Sequence, residues 1–508
     1  MTPQKSSLRI GRGAFILAFS ILLSLMILSG ILTRVIPPGS FEREMVNGRE
    51  MVIPGSYEPT PERSAPPVWR WFTAPVEVLF TPGAIIAITI IVFLIFVGGA
   101  FTILEGSGVL QAVLNQLVHS FYHRRYLLMA MIIFAFMAVA SVLGIYEAMV
   151  PLIVFIVPLS LKLGWDSLTG LGMSLLPLAF GFAAAVSNPF TIGVAQRIAE
   201  LPLFSGAWLR IPFFLFTYIT VLLFVSRHAR KVEADPNRSP VYQLDVERRR
   251  LLESRAAAEA AAAVVTGPST AAIEAAMETT ISHQKLTAPM RRATVWFGAC
   301  ILLAFVFIFV TARNPVLSDL AFPLMALLFF IGGIGAGLLA GMGGKKVAAS
   351  FGTGAVSMLP AVLLILMSLS VRHIVDSGGI TDTILQGASG LIAGSSTFGA
   401  AFFVYLVTLG MNFFIGSASA KAFLMMPILA PLADLVGITR QTAVLSFGFG
   451  DGFSNMLYPS NALLLIGLGF TVVSFPRWIR WTILLQAVMF ALSMIFLWIA
   501  VHIGYGPF

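Results

Sequence analysis

Apolar residues fall along this chain in long blocks separated by short polar segments. Runs of about 20 apolar residues are long enough to cross a bilayer as helices. The pattern predicts helices at about 14–35, 82–104, 203–225, 294–310, 320–339, 355–370 and 482–501. Four further apolar stretches are interrupted. The stretch 127–163 breaks at 144–148, and 168–198 breaks at about 183–191. In the same way 398–436 breaks at 416–421, and 441–470 breaks at 450–461. A polar break within an apolar run is tolerated at membrane depth only where it is buried in protein or lines a cavity. The expected fold is therefore an all-α polytopic membrane protein with two re-entrant helical hairpins and two broken transmembrane helices.

The breaks recur at a fixed spacing. Ser187-Asn188-Pro189 and Pro459-Ser460-Asn461 are 273 positions apart, from Ser187 to Ser460. The same shift aligns Pro158 with Pro431, Leu159 with Leu432 and Gly164 with Gly437. A gap-free register joining proline, glycine and Ser-Asn indicates an internal duplication, a signature of secondary transporters. Glu105-Gly106-Ser107-Gly108 and Asp376-Ser377-Gly378-Gly379 repeat at a slightly shorter shift.

Basic residues give the orientation, because they collect on the cytoplasmic side. Arg9 and Arg12, His123-Arg124-Arg125, Arg248-Arg249-Arg250, Lys345-Lys346, and Arg477 with Arg480 agree on one topology. It places the N-terminus in the cytoplasm, the Pro-rich and acidic segment 37–81 outside and the C-terminus outside. The helix at 294–310 reverses direction, so the second repeat is inverted. The expected domains are a first transmembrane repeat over 1–226, a cytoplasmic linker over 227–292, and the flipping helix with the second, inverted repeat over 293–508. The run at 14–35 is too long for a signal-peptide core and reads as the first membrane helix.

Composition agrees. Of 508 residues, 58% are hydrophobic and only 11% charged, where a soluble protein carries roughly 25%. The net charge of +9 reflects the cytoplasmic loops and calls for no nucleic acid. One cysteine, Cys300, excludes an intramolecular disulfide, and the histidines show no metal-binding spacing. No cofactor is expected beyond a coupling Na⁺ or H⁺.

Candidate chemistry gathers at the breaks. Half-helix ends expose N–H groups suited to a carboxylate, and freed carbonyls suit a small cation. Ser187, Asn188 and Thr191 at the first broken helix, and Asn455, Ser460 and Asn461 at the second, are candidate substrate ligands. Capping alone would explain a single Ser-Asn pair, but two symmetric copies beside proline favour a site. Glu147 and Lys421 are ionisable groups at the hairpin tips, where such residues are by default functional. Together they would read the ammonium and carboxylate of an amino acid. Alternatively Lys421 alone would face an anion, with Glu147 as a proton site. Ser417 and Ser419 lie at the second tip. Asp451, between Gly450 and Gly452, would bind a cation or a proton or pair with Lys421. Glu147, Asn188 and Asn461 are the other coupling-ion candidates.

Two long motifs look familiar. Ser187-Asn188-Pro189-Phe190-Thr191-Ile192-Gly193, continuing to Leu201-Pro202-Leu203, is one. Met426-Pro427-Ile428-Leu429-Ala430-Pro431, continuing to Gly450-Asp451-Gly452-Phe453-Ser454-Asn455, is the other. With Pro54-Gly55-Ser56-Tyr57 they resemble the YfcC-like branch of the C4-dicarboxylate anaerobic carrier (DcuC) family, within the ion transporter superfamily. The resemblance implies inverted repeats, a homodimer, elevator-type motion and a bacterial inner-membrane location. It implies a secondary carrier of C4-dicarboxylates or amino acids, with basic amino acid (arginine/ornithine-type) antiport as the alternative. The chain has Tyr146-Glu147 where the pattern has two acidic residues, and Pro459-Ser460-Asn461-Ala462 where it has Pro-Thr-Ser-Gly. Fewer acidic groups suit a dibasic substrate less well. A channel would need a filter-like repeat, and an enzyme a nucleophile–base set or metal motif; the sequence has neither.

Overall fold

The computed structural model describes residues 12–46, 49–61, 65–81, 84–144, 146–247, 250, 287–311 and 321–506. Among them nine helical segments are long and apolar enough to cross a membrane. The only strands among the described residues are two short antiparallel pairs, Gly39–Ser40 with Glu58–Pro59 and Arg43–Val46 with Arg49–Val52.

The first hairpin descends through Arg125–Leu143, turns at Gly144, and returns through Glu147–Leu152 and Ile153–Lys162. Gly144 takes φ +69°, and a Cβ there would lie 2.2 Å from Asn188 Oδ1. Only glycine meets both demands. The first broken helix is Ser167–Ala184, then a π turn at Pro189–Gly193 and a short helix Val194–Ile198. The second hairpin pairs Thr397–Phe414 with Ala418–Val436. The second broken helix is Arg440–Ser454 followed by Ala462–Gly469.

The two broken helices lie in the protein interior. In the span Ser167–Ile198, 94% of the most apolar window is buried, against 39% for Ala207–Ala234. A helix apolar on all sides and buried on all sides belongs at the centre of a bundle. The 273-residue shift also matches the jobs done by helix ends. Gly164 and Gly437 both take positive φ. Asp166 and Thr439 both cap the following helix, accepting from the backbone N–H of Thr169 and Thr442 respectively. Asn188 and Asn461 cap the segments after the breaks.

Three features depart from the sequence reading. The second broken helix runs through Asp451 and breaks only after Ser454, because tight packing on both sides holds the Gly-Asp-Gly turn helical. The helix starting at Ala207 continues to Ala234, beyond the expected boundary at 226. Its polar end is held by Glu233, which binds Arg125 and Tyr126 on the first hairpin. The start of the expected linker is docked on the fold. Buried Asp245 accepts from the backbone N–H and the hydroxyl of Ser167 at the head of the first broken helix. Residues 251–286 of that linker lie outside the described residues. Short helices also occur at Val109–Phe121 and Thr381–Ala393.

The 37–81 segment is strapped to the second half of the chain. Arg43 forms a 2.7 Å ion pair with buried Asp382, which also accepts from Phe41 N–H. Helix Trp69–Glu77 is fixed by Arg70, Thr73 and His373 around Glu77. The Arg70 hydrogen bond leads in holding the Glu77 carboxyl down at about 2. A carboxyl depressed on folding contributes stability above its unfolded value, near 4.5, and loses it as pH falls towards about 2. Acid titration followed by the fluorescence of Trp69 and Trp71 is expected to show this helix loosening between those limits. Glu77→Gln is expected to remove that transition.

Candidate functional site

Breaking a helix frees carbonyls and N–H groups that must find partners away from water. At the first break Asn188, fully buried, turns its Oδ1 onto the N–H groups of Phe190 (2.9 Å) and Thr191 (3.2 Å). Pro189 starts the next segment, where a missing N–H costs nothing. Ser141 ties the break to the first hairpin: its Oγ accepts from Val186 N–H and its carbonyl from Ser187 N–H. The Ser187 hydroxyl donates to Val142 O at 3.3 Å. The freed Val186 carbonyl is taken by the guanidinium of buried Arg210, at 3.3 Å from Nε and 3.1 Å from Nη2.

The second break repeats the cap. Asn461 Oδ1 accepts from Leu463 (3.0 Å) and Leu464 (3.2 Å). Its Nδ2 donates to Asn455 Oδ1 at 2.8 Å. The same oxygen accepts from Asn412 Nδ2 at 3.0 Å. Asn412 Nδ2 also donates to Ser454 Oγ at 2.6 Å and Asp451 O at 3.2 Å. That leaves Asn412 Oδ1 for Lys421, whose ammonium also pairs with Asp451 Oδ1. Lys421 and Asp451 are 0% and 1% exposed. Two of the break's carbonyls are held from outside it: Ser368 donates to Ser460 O and Trp478 to Met456 O.

The structure thus joins four of the sequence candidates, Lys421, Asp451, Asn455 and Asn461, into one hydrogen-bonded network. Asn188 and Thr191 sit at the first break, and Ser187 spends its hydroxyl on backbone. Ser417 caps the second arm of the second hairpin by accepting from Ala420 N–H, with Ser419 Oγ 3.4 Å from its own Oγ. The Glu147 side chain lies outside the described residues; of the pairings weighed for Lys421, the one present is with Asp451. Asn412 and Arg210 were missed. Each is a lone polar residue in an apolar run, which is itself the signal that marks a functional or paired group in a membrane helix.

Four buried polar atoms at the breaks have no hydrogen-bond partner among the described residues. They are Asn188 Nδ2, Thr191 Oγ1, Asp451 Oδ2 and Ser460 Oγ. Buried polar groups are ordinarily satisfied, so these four atoms are unmet hydrogen-bonding capacity at the two breaks. Among the described residues no group of three or more His, Cys, Asp or Glu is placed to hold a metal. The 690 Å³ groove beside Pro67, Trp69, Arg70 and Phe80 belongs to the 69–77 helix and includes neither break.

The two broken helices touch where the polar network begins. A Cβ at Gly452 would lie 2.2 Å from Ala183 Cα and 2.3 Å from its N. Backbone cannot give way as a side-chain tip can. Gly452→Ala is expected to destabilise the protein by about 1–3 kcal/mol. Gly298→Ala, a helical position with open space around it, is the control expected to be neutral in the same thermal unfolding assay.

Residues 15–502 match the sequence profile of the C4-dicarboxylate anaerobic carrier family. The chain is similar to "Putative basic amino acid antiporter YfcC" of Escherichia coli, at 30% identity over 82% of this chain and 78% of that one. It is also similar to an uncharacterized protein of Haemophilus influenzae, at 25% identity over 78% and 72% of the two chains. Two solved structures align along it. The Alcanivorax borkumensis YdaH transporter does so at 17% identity and a TM-score of 0.40, covering 97% of this chain and 100% of that one. Neisseria gonorrhoeae MtrF, described with a class of antimetabolite efflux pumps, does so at 16% identity and 0.41, covering 97% of each.

Proposed function

Because the chain belongs to the C4-dicarboxylate anaerobic carrier family, and so is a multi-pass membrane transporter, we propose that it is a secondary active transporter of small carboxylate-bearing solutes. The solute is a C4-dicarboxylate or an amino acid, moved across a bacterial inner membrane by Na⁺ or H⁺ coupling or by exchange. The protein works as a homodimer with an elevator-type motion, its two halves being inverted repeats. The N-terminus faces the cytoplasm and the C-terminus the outside.

One observation carries this reading: each of two buried helices is broken, at Asn188 and at Asn461, and each break holds buried polar atoms with no hydrogen-bond partner among the described residues. Helix N-termini after each break present a positive dipole end to a carboxylate. Asn188 Nδ2, Thr191 Oγ1 and Ser460 Oγ add donors, and Asp451 Oδ2 is an acceptor for an ammonium. The name of YfcC favours a second reading, basic amino acid antiport, in which Asp451 Oδ2 meets a cationic group.

A ligand that binds the folded state raises its apparent stability. Purified protein is expected to be stabilised against heat by a C4-dicarboxylate or a neutral amino acid. Stabilisation by arginine or ornithine alone would favour the second reading. No stabilisation by any of these solutes would remove the proposed substrate class.

A further inference from the structure

Both breaks carry a cation of the protein's own. At the second, the Lys421 ammonium sits against Asn412 Oδ1 and Asp451 Oδ1. The Asn412 amide cannot turn away, because its Nδ2 donates to Asp451 O, Ser454 Oγ and Asn455 Oδ1. Two side-chain oxygens from two different helices therefore converge on one point, with the unpartnered Asp451 Oδ2 beside it. Convergent carboxylate and amide oxygens at a broken helix are what a hard monovalent cation binds. At the first break the freed carbonyl of Val186, another typical cation ligand, is taken by Arg210, which also reaches Phe204 O at 3.2 Å.

We infer that Lys421 is a tethered substitute for a coupling sodium ion at the second break, with Arg210 filling the corresponding role at the first, so that this carrier binds its solute without Na⁺. The inference deepens the transporter reading and rests on it. Its physical basis is charge. Lys421 already neutralises Asp451 in a site closed to water, and a second cation placed beside it would meet an unscreened like charge. Removing the ammonium while keeping Asp451 leaves a buried anion with an empty place for a small cation.

The test is thermal unfolding of the purified full chain in NaCl and in choline chloride at equal ionic strength. This readout needs no transport, so a failure of the substrate assignment and a failure of the cation assignment are separable. The wild type is expected to unfold at the same temperature in both salts. Lys421→Ala and Lys421→Gln are expected to gain a saturable rise of several degrees in Na⁺ over choline. Adding Asp451→Asn to either is expected to abolish that gain. A saturable Na⁺ response in the wild type as large as in the lysine variants would overturn the inference, as would lysine variants with no response. If the variants are too unstable to purify in choline, purification in NaCl should rescue them; instability in both salts would equally count against a cation seat at Asp451.

Discussion

Asp451→Asn, with Lys421 left in place, is expected to destabilise the protein by about 3–5 kcal/mol and to abolish transport. The magnitude is that of breaking a buried ion pair from one side. Lys421 is fully buried, and its other contact is the neutral oxygen of Asn412. Without the carboxylate a full positive charge remains where water cannot reach it. The double variant Lys421→Met/Asp451→Asn removes both charges and is expected to recover most of the lost stability, because paired buried charges contribute little net stability over apolar replacements. Transport should stay absent in the double variant. Stability returning without transport is the pattern of a pair kept for function. A double variant no more stable than Asp451→Asn would show that the network, rather than the charge, dominates the loss.

Asn188→Ala and Asn461→Ala are expected to abolish solute uptake while leaving the protein folded. Each side chain caps the segment after a break by accepting two backbone N–H groups. Losing such a cap costs about 1 kcal/mol, small against the total stability of a folded domain. Each also carries a second role at its amide nitrogen: Asn188 Nδ2 is unpartnered, and Asn461 Nδ2 reaches Asn455. Asn→Asp at either position keeps the capping oxygens but removes that donor. Each Asp also buries a carboxylate with no cation bonded to it, which costs more than a lost cap, so the Asp variants are expected to melt below the Ala variants and to transport no better. Uptake in reconstituted vesicles is read beside thermal unfolding, so that loss of transport is scored only in folded protein.

Much of the architecture can be read from the sequence because its signals are local. Pro189, Pro459 and the Ser-Asn pairs interrupt apolar runs that would otherwise continue as helix, so both breaks can be located to within a few residues. The 273-residue shift is visible because prolines and glycines at helix ends keep their positions while apolar residues interchange freely. What cannot be read is what depends on partners from elsewhere in the chain. Asn412 is one amide in an apolar helix until Lys421, Asp451 and Asn455 close around it. Arg210 reads as a charge near a helix start until Val186, Phe204 and Tyr505 surround it. Asp451 looks like part of a break because glycines flank it, yet Gly452 is there to let Ala183 approach. The polar end of the helix to Ala234 resembles linker until Glu233 meets Arg125 and Tyr126 and His228 meets Asp166.

On the proposed function, solute crosses the membrane by binding at the two breaks. This is tested with reconstituted vesicles loaded with unlabelled solute and supplied outside with labelled C4-dicarboxylate, neutral amino acid or arginine. The expected result is saturable uptake of at least one of these by the wild type, and none by folded Asn188→Ala or Asn461→Ala. Uptake by both asparagine variants at the wild-type rate would contradict the assignment of the site.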